Sequence, residues 1–215
     1  LEFRRVLFRS VGQGMPWLLE QLEAELARIE ASLESPSEAL RWDELMPPMQ
    51  QLGERLRWSW GVVNHLLMVC NTPELRQAHE QQQAAVVRFS SRLGQSKVIY
   101  RALKQLSAAE DQLTPCRRRI LQQELLGMEL RGVGLEGEQQ ERFNALTEEL
   151  TALSTRFSNN VLDATASWEL LLSSPEELDG CPDSLRELLA DSARRKGDRK
   201  STRLNSSHRC ISYAV

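Results

Sequence analysis

From Glu138 to Trp168 the chain runs for 31 residues without a glycine or a proline. Strands average about five or six residues, so an unbroken run of this length rich in Leu, Glu, Ala and Thr predicts one continuous helix. At 1.5 Å per residue it would extend about 46 Å. Its apolar residues, Phe143, Leu146, Leu150, Leu153, Phe157, Val161, Ala164 and Trp168, follow one another at intervals of three and four. That is nearly a heptad seam, and it predicts that the helix packs its apolar side into an antiparallel bundle. Any chain containing such a spine is expected to be all-α, a multi-helix bundle with one long helix over about 138–168.

The same helix carries a cluster of polar residues, Asn159, Asn160 and Asp163, within the stretch FSNNVLDAT. At 100° per residue Asn160 sits at the edge of the seam, while Asn159 and Asp163 lie on roughly the opposite side. Two roles follow for this cluster: hydrogen bonding to a neighbouring helix, or contact with a substrate in a channel.

Shorter helices are expected along the rest of the chain. Residues 16–34 form one face with Leu18, Leu22, Leu26, Ile29 and Leu33, and Pro16 suits a first turn. A short helical piece reaches Met46, where Pro47-Pro48 should break it before a helix over about 49–70. Trp58, off the apolar stripe of that helix, suggests contact on a second side. Thr72-Pro73 and Thr114-Pro115 each read as an N-cap followed by a proline in the first turn. The first opens a helix to about Leu93 with Gly94 as its C-terminal stop, and the second opens a helix to about Leu130. A helix starting at Ser96 lies between them, and a final one spans about Pro182–Ala193. No credible strand is evident.

The two ends differ from the body. LEFRRVLFRS (1–10) packs arginines among apolar residues without a cap, and 198–215 has neither helical nor strand period. Both resemble adapter-derived sequence, so the expected organisation is a non-native leader at 1–10, one helical domain at 11–197 and a non-native disordered tail at 198–215. The ends hold seven of the 27 Lys/Arg and two of the 30 Asp/Glu, leaving 20 basic and 28 acidic residues in the body, a formal charge of −8. An acidic body argues against a nucleic-acid partner, which needs a basic footprint. Arg117-Arg118-Arg119, the one internal basic run, reads as a solvated helix face. No run of about 18 apolar residues is present, which argues against a membrane span. Cys70, Cys116, Cys181 and Cys210 show no CxxC and no close pairing, as expected of reduced thiols.

Motifs that carry chemistry are missing. A zinc peptidase helix needs HExxH, in which two histidines four apart face one metal and the glutamate activates its water. His79-Glu80 begins that pattern, but Gln83 stands where the second histidine is needed. His65 and His208 are not at ligand spacing, and His65, near an apolar stripe, reads as a partly buried hydrogen-bonded side chain. GVGLEG (Gly132–Gly137) is a turn between helices with no strand before it. Glu148-Glu149 reads as an exposed pair. Neither a metal site nor a set of catalytic side chains can be built from these residues.

Three stretches together carry a family likeness: WGVVNHLLMVCNTPELRQAHE (60–80), FSSRLGQSKVIYRALKQL (89–106) and ERFNALTEELTALSTRFSNNVLDATASWELLL (141–172). They resemble the N-terminal helical domain of oligopeptidase A, in the thimet oligopeptidase family of zinc metallopeptidases, over about residues 17–190. The resemblance implies a largely helical, clamshell-like enzyme, monomeric at full length, that cuts short peptides in a deep channel and excludes folded proteins. It places the zinc ligands and catalytic glutamate in a later domain, on HExxH and a downstream glutamate, so no catalytic or metal-binding residue carries over to this sequence and no cofactor is expected in it. The implied role is a truncated N-terminal domain that forms one wall of the substrate channel, inactive alone. It would reside in the cytoplasm, or alternatively in the chloroplast or mitochondrial matrix. The alternatives are a self-sufficient helical scaffold that binds a partner helix through the 143–168 seam, and a nucleic-acid binder through Arg117–Arg119 and the basic tail, which the charge of −8 disfavours.

Overall fold

Local signals set where three of the helices start. In the computed structural model, which describes residues 2–34, 40–108, 113–168, 170–172, 175–195 and 202–204, the hydroxyl of Thr72 accepts from the Leu75 amide at 3.3 Å, and that of Thr114 from the Arg117 amide at 3.3 Å. Each cap is followed by proline at the first helical position, where the missing N–H is not needed. The helices so opened are α3 (Pro73–Gly94) and α5 (Pro115–Leu130). Ser96 plays the same part for α4 (Lys97–Ala108), its hydroxyl accepting from the Ile99 amide. The remaining helices are α1 (Glu2–Glu34), α2 (Trp42–Val69), α6 (Gly137–Ser167) and α7 (Asp183–Arg195). The fold class is all-α.

The chain divides into two compact units, Leu1–Ala152 and Leu153–Val215. In the first, α1 is central and packs against α2, α3 and α4, while α4 packs against α5. Its core is built from Leu22 and Leu26 of α1, Leu45, Met46 and Leu52 of α2, Phe89 of α3, Ile99 and Leu103 of α4, and Leu121 of α5. Each fully buried leucine contributes about 2 kcal/mol of hydrophobic stabilisation. Polar contacts add to the joint: Arg92 of α3 holds the Glu30 carboxylate of α1, which also accepts from the Ser96 hydroxyl. The hydrogen bond from Arg92 pulls the Glu30 carboxyl below its usual range.

Two proline expectations are corrected. Pro16 does not start α1 but lies inside it. Val11 and Met15 are buried and continue the stripe of Leu18, Leu22 and Leu26, so core packing carries the helix back through the proline. Pro47 and Pro48 likewise lie inside α2. Leu45 and Met46 before them and Leu52 and Leu56 after them enter one core, and this burial outweighs the two ladder hydrogen bonds that prolines cannot donate. Trp58 has no second neighbour to bury it: it is exposed, with the Arg57 guanidinium 5.4 Å from its ring centre. Gly94 is the last residue of α3 but does not adopt a left-handed φ. A Cβ there would lie 2.5 Å from Cδ of Arg131.

In the second unit, α7 is preceded by a 3-10 turn at Pro175–Leu178, and Arg186 of α7 donates to the carbonyls of Cys181 and Leu178. Leu178 and Leu189 are its buried apolar side chains among the described residues. Two three-residue strands, β1 (Leu170–Leu172) and β2 (Thr202–Leu204), pair antiparallel with Leu170 opposite Leu204. The absence of strands expected from the sequence is therefore corrected, because runs of three are too short to show alternation. β2 falls inside 198–215, where no order was expected.

Candidate functional site

The feature that departs most from expectation is α6. It follows a tight loop in which Gly132 and Gly137 adopt positive φ, 83° and 51°. Beyond that loop the helix is attached to the first unit through polar groups. Gln95, buried at the end of α3, donates from Nε2 to the Arg131 carbonyl at 2.8 Å and to Oδ1 of Asn144 at 2.7 Å. Its Oε1 accepts from Gln140 at 3.0 Å and from Nδ2 of Asn144 at 3.3 Å. Every donor and acceptor position of the Gln95 amide is thereby filled. Further along, Arg88 approaches Glu148 at 3.5 Å and Gln83 reaches the Thr151 carbonyl at 3.5 Å. Lys97 pairs with Glu136 just before the helix. Gln140, Asn144, Thr151 and Glu148 occupy one side of α6. That side lies about 125° from the middle of the apolar seam at 100° per residue.

Bonding on the polar side leaves the seam facing water. Leu146, Leu150, Leu153, Phe157, Val161 and Trp168 are all exposed, Leu150 by 67% and Phe157 by 69%. The expectation that this seam forms bundle core is therefore corrected: the hydrophobic core contains no α6 side chain among the described residues. Glu148 is not the free, fully exposed member of a pair either, since it is half-buried and faces Arg88.

The polar cluster splits. Asn159 is buried, 8% exposed, and is the buried residue of α6, whereas Asn160 and Asp163 lie at the surface. The histidines exchange roles relative to expectation. His65 is exposed, and His79 is buried, with Nε2 2.9 Å from Oδ1 of Asn64 and its ring stacked on Trp60 at 4.6 Å between centres. Burial pushes the His79 imidazole below its ordinary pKa, so the neutral ring is favoured. His208 and Cys210 lie outside the described residues. Arg117 pairs with Asp43 at 3.3 Å and covers the Trp42 ring. Among the described residues no group of three His, Cys, Asp or Glu side chains could hold a metal ion, and no helix is long and apolar enough to cross a membrane. What the site offers is apolar area along α6 beside an exposed amide and carboxylate.

Sequence reasoning passed over Gln95, Gln140 and Asn144. The available signal was amide or carboxylate side chains at 140, 144 and 148, one turn apart on a single face of the helix.

Residues 15–140 match the family described as neurolysin/thimet oligopeptidase, N-terminal domain. Among curated proteins, the chain is 41% identical over 202 residues to the probable cytosolic oligopeptidase A of Arabidopsis thaliana, covering 93% of this chain and 28% of that protein. It is 40% identical over 197 residues to the organellar, chloroplastic/mitochondrial oligopeptidase A of the same plant, covering 91% and 24%. The oligopeptidase A of Haemophilus influenzae is 34% identical over 171 residues, covering 79% of this chain and 25% of that protein. The chain thus spans about a quarter of the length of the relatives it matches.

Proposed function

Because the chain belongs to the neurolysin/thimet oligopeptidase N-terminal domain family, we propose that it is the N-terminal part of a longer oligopeptidase that hydrolyses short peptides. In that protein residues 11–197 form one wall of the substrate channel. The observation that carries this reading is the similarity to oligopeptidase A over 93% of the chain, spread across only 28% of the relative. Zinc in such an enzyme would supply a Lewis acid and an activated water. The described residues of this chain do not fit that metal: they offer no ligand group, and the buried His79 has its ring against Trp60 and Nε2 at Asn64. Zinc would be held elsewhere in the longer protein.

What this chain supplies is positioning. Asn160 and Asp163, exposed and one turn apart on α6, present an amide and a carboxylate suited to the backbone or amino end of a short peptide. Buried Asn159 serves the helix itself. Relatives bear both cytosolic and chloroplastic/mitochondrial names, which supports the cytoplasm as its place of action, with the chloroplast or mitochondrial matrix as the alternative.

The test is to express the longer reading frame and assay short peptides against folded proteins. Asn160→Ala is expected to raise KM with unchanged Tm, Asp163→Ala to raise KM per folded molecule, and Asn159→Ala to lower Tm with unchanged KM per folded molecule. A downstream frame without HExxH over several hundred codons, or no hydrolysis of short peptides, would overturn the reading.

A further inference from the structure

We propose that the apolar face of α6 is covered, in the longer protein, by a helix from the polypeptide that follows the matched region, so that α6 is the joint between the N-terminal bundle and the rest. The inference rests on the reading of this chain as one part of a longer oligopeptidase.

Three observations converge on it. The N-terminal domain family matches residues 15–140, which ends three residues after α6 begins at Gly137. Similarity to the plant relative, extending over 93% of the chain, nevertheless takes in the rest of the helix. By sequence, then, α6 lies almost wholly beyond the N-terminal domain yet is retained with it. Second, the bundle core takes no side chain from α6 among the described residues, and the bonds that fix its N-terminal half are those of Gln95, Gln83 and Arg88. A helix held by one polar side has its other side free for a partner. Third, Leu146, Leu150, Leu153, Phe157, Val161 and Trp168 stand exposed at intervals of three and four, with the gap from Val161 to Trp168 bridged by Ala164. A continuous exposed apolar stripe marks an interaction surface, and its spacing accepts the ridges of another helix. The occupant follows from length. About three-quarters of each relative lies outside the matched region, so the longer chain itself supplies the covering surface.

The experiment compares the 215-residue chain with the longer protein by hydroxyl-radical footprinting, read residue by residue on the unsubstituted polypeptides. Phe157 and Trp168 should oxidise readily in the short chain and about tenfold or more slowly in the longer protein, since reaction then requires local opening. A second measurement uses thiols at Leu150→Cys and Phe157→Cys, with modification rates normalised to the denatured state. Equal rates in the two polypeptides would overturn the proposal. So would protection already present in the short chain that vanishes on dilution, which would mean that a second copy covers the seam. Neither readout depends on activity: protection without peptide hydrolysis would sink the oligopeptidase reading alone, and hydrolysis without protection would sink this inference alone.

Discussion

Removing the Gln95 side chain tests how α6 is held. Gln95→Ala deletes four hydrogen bonds: two donated, to Arg131 and Asn144, and two accepted, from Gln140 and Asn144. Each is worth about 1 kcal/mol net. Gln140 and Asn144 are half-exposed, so water replaces roughly half of what they lose, leaving a cost of about 2 kcal/mol. For a chain of this size that corresponds to a fall in Tm of about 4–8 °C. Gln95→Glu should cost more at neutral pH, because a carboxylate would face the Arg131 carbonyl and Oδ1 of Asn144 with no proton to donate. Part of that loss should return as pH falls through the carboxyl's raised folded-state pKa, fully so below the unfolded value of about 4.3, since the protonated acid can donate once. The assay is urea or thermal unfolding of Gln95→Ala, Asn144→Ala and the double variant. A coupling of about 1 kcal/mol is expected between these two residues. A Gln95→Ala loss below about 0.5 kcal/mol, together with zero coupling, would refute the view that the amide pair anchors the helix.

Two further outcomes follow from the bundle. Burial lowers the His79 pKa, so the unfolded chain takes up the proton first as pH drops below about 6.5. Stability is complete above that value, declines as pH falls toward the folded pKa, and then levels. His79→Phe, which keeps a ring against Trp60, should flatten the slope between pH 7.5 and pH 5 in denaturant titrations. An unchanged slope would assign it to other groups. Thr72→Ala and Thr114→Ala each remove a cap and should cost about 1 kcal/mol in chemical denaturation. Thr→Ser at either site should recover most of it, and no recovery would point to loss of methyl packing instead.

Features governed by neighbours in sequence were legible: the Thr-Pro helix starts, the length of α6 and the all-α class. Features decided by which surfaces meet were not. Periodicity locates the apolar side of α6, but it does not say whether the partner lies within the same 215 residues. The two proline sites misled for a related reason, since the cost of a missing N–H is local while the burial of Leu45, Met46 and Leu52 that outweighs it is not. His79 could have been found: it stands four residues after Leu75 and seven before Val86, on the buried stripe of α3. His65 sits in a more apolar stretch yet points to solvent, because composition around a residue does not set the direction of its side chain. Of the candidate cluster, the sequence located the turn of helix, and only coordinates separate buried Asn159 from exposed Asn160 and Asp163.

The polar anchoring of α6 also bears on synthesis of the longer protein that we propose. Domains fold from the N-terminus as the ribosome delivers about 5–20 residues per second. With about three-quarters of the relatives' length still to come, translation of the remainder would occupy roughly 25–100 s. Throughout that interval the bundle of α1–α5 can close around its own core while Gln95 and Arg88 hold α6 in place, seam outward. Arg142, Glu149 and Arg156 stand exposed beside the seam, so charge flanks the apolar stripe for as long as it stays uncovered.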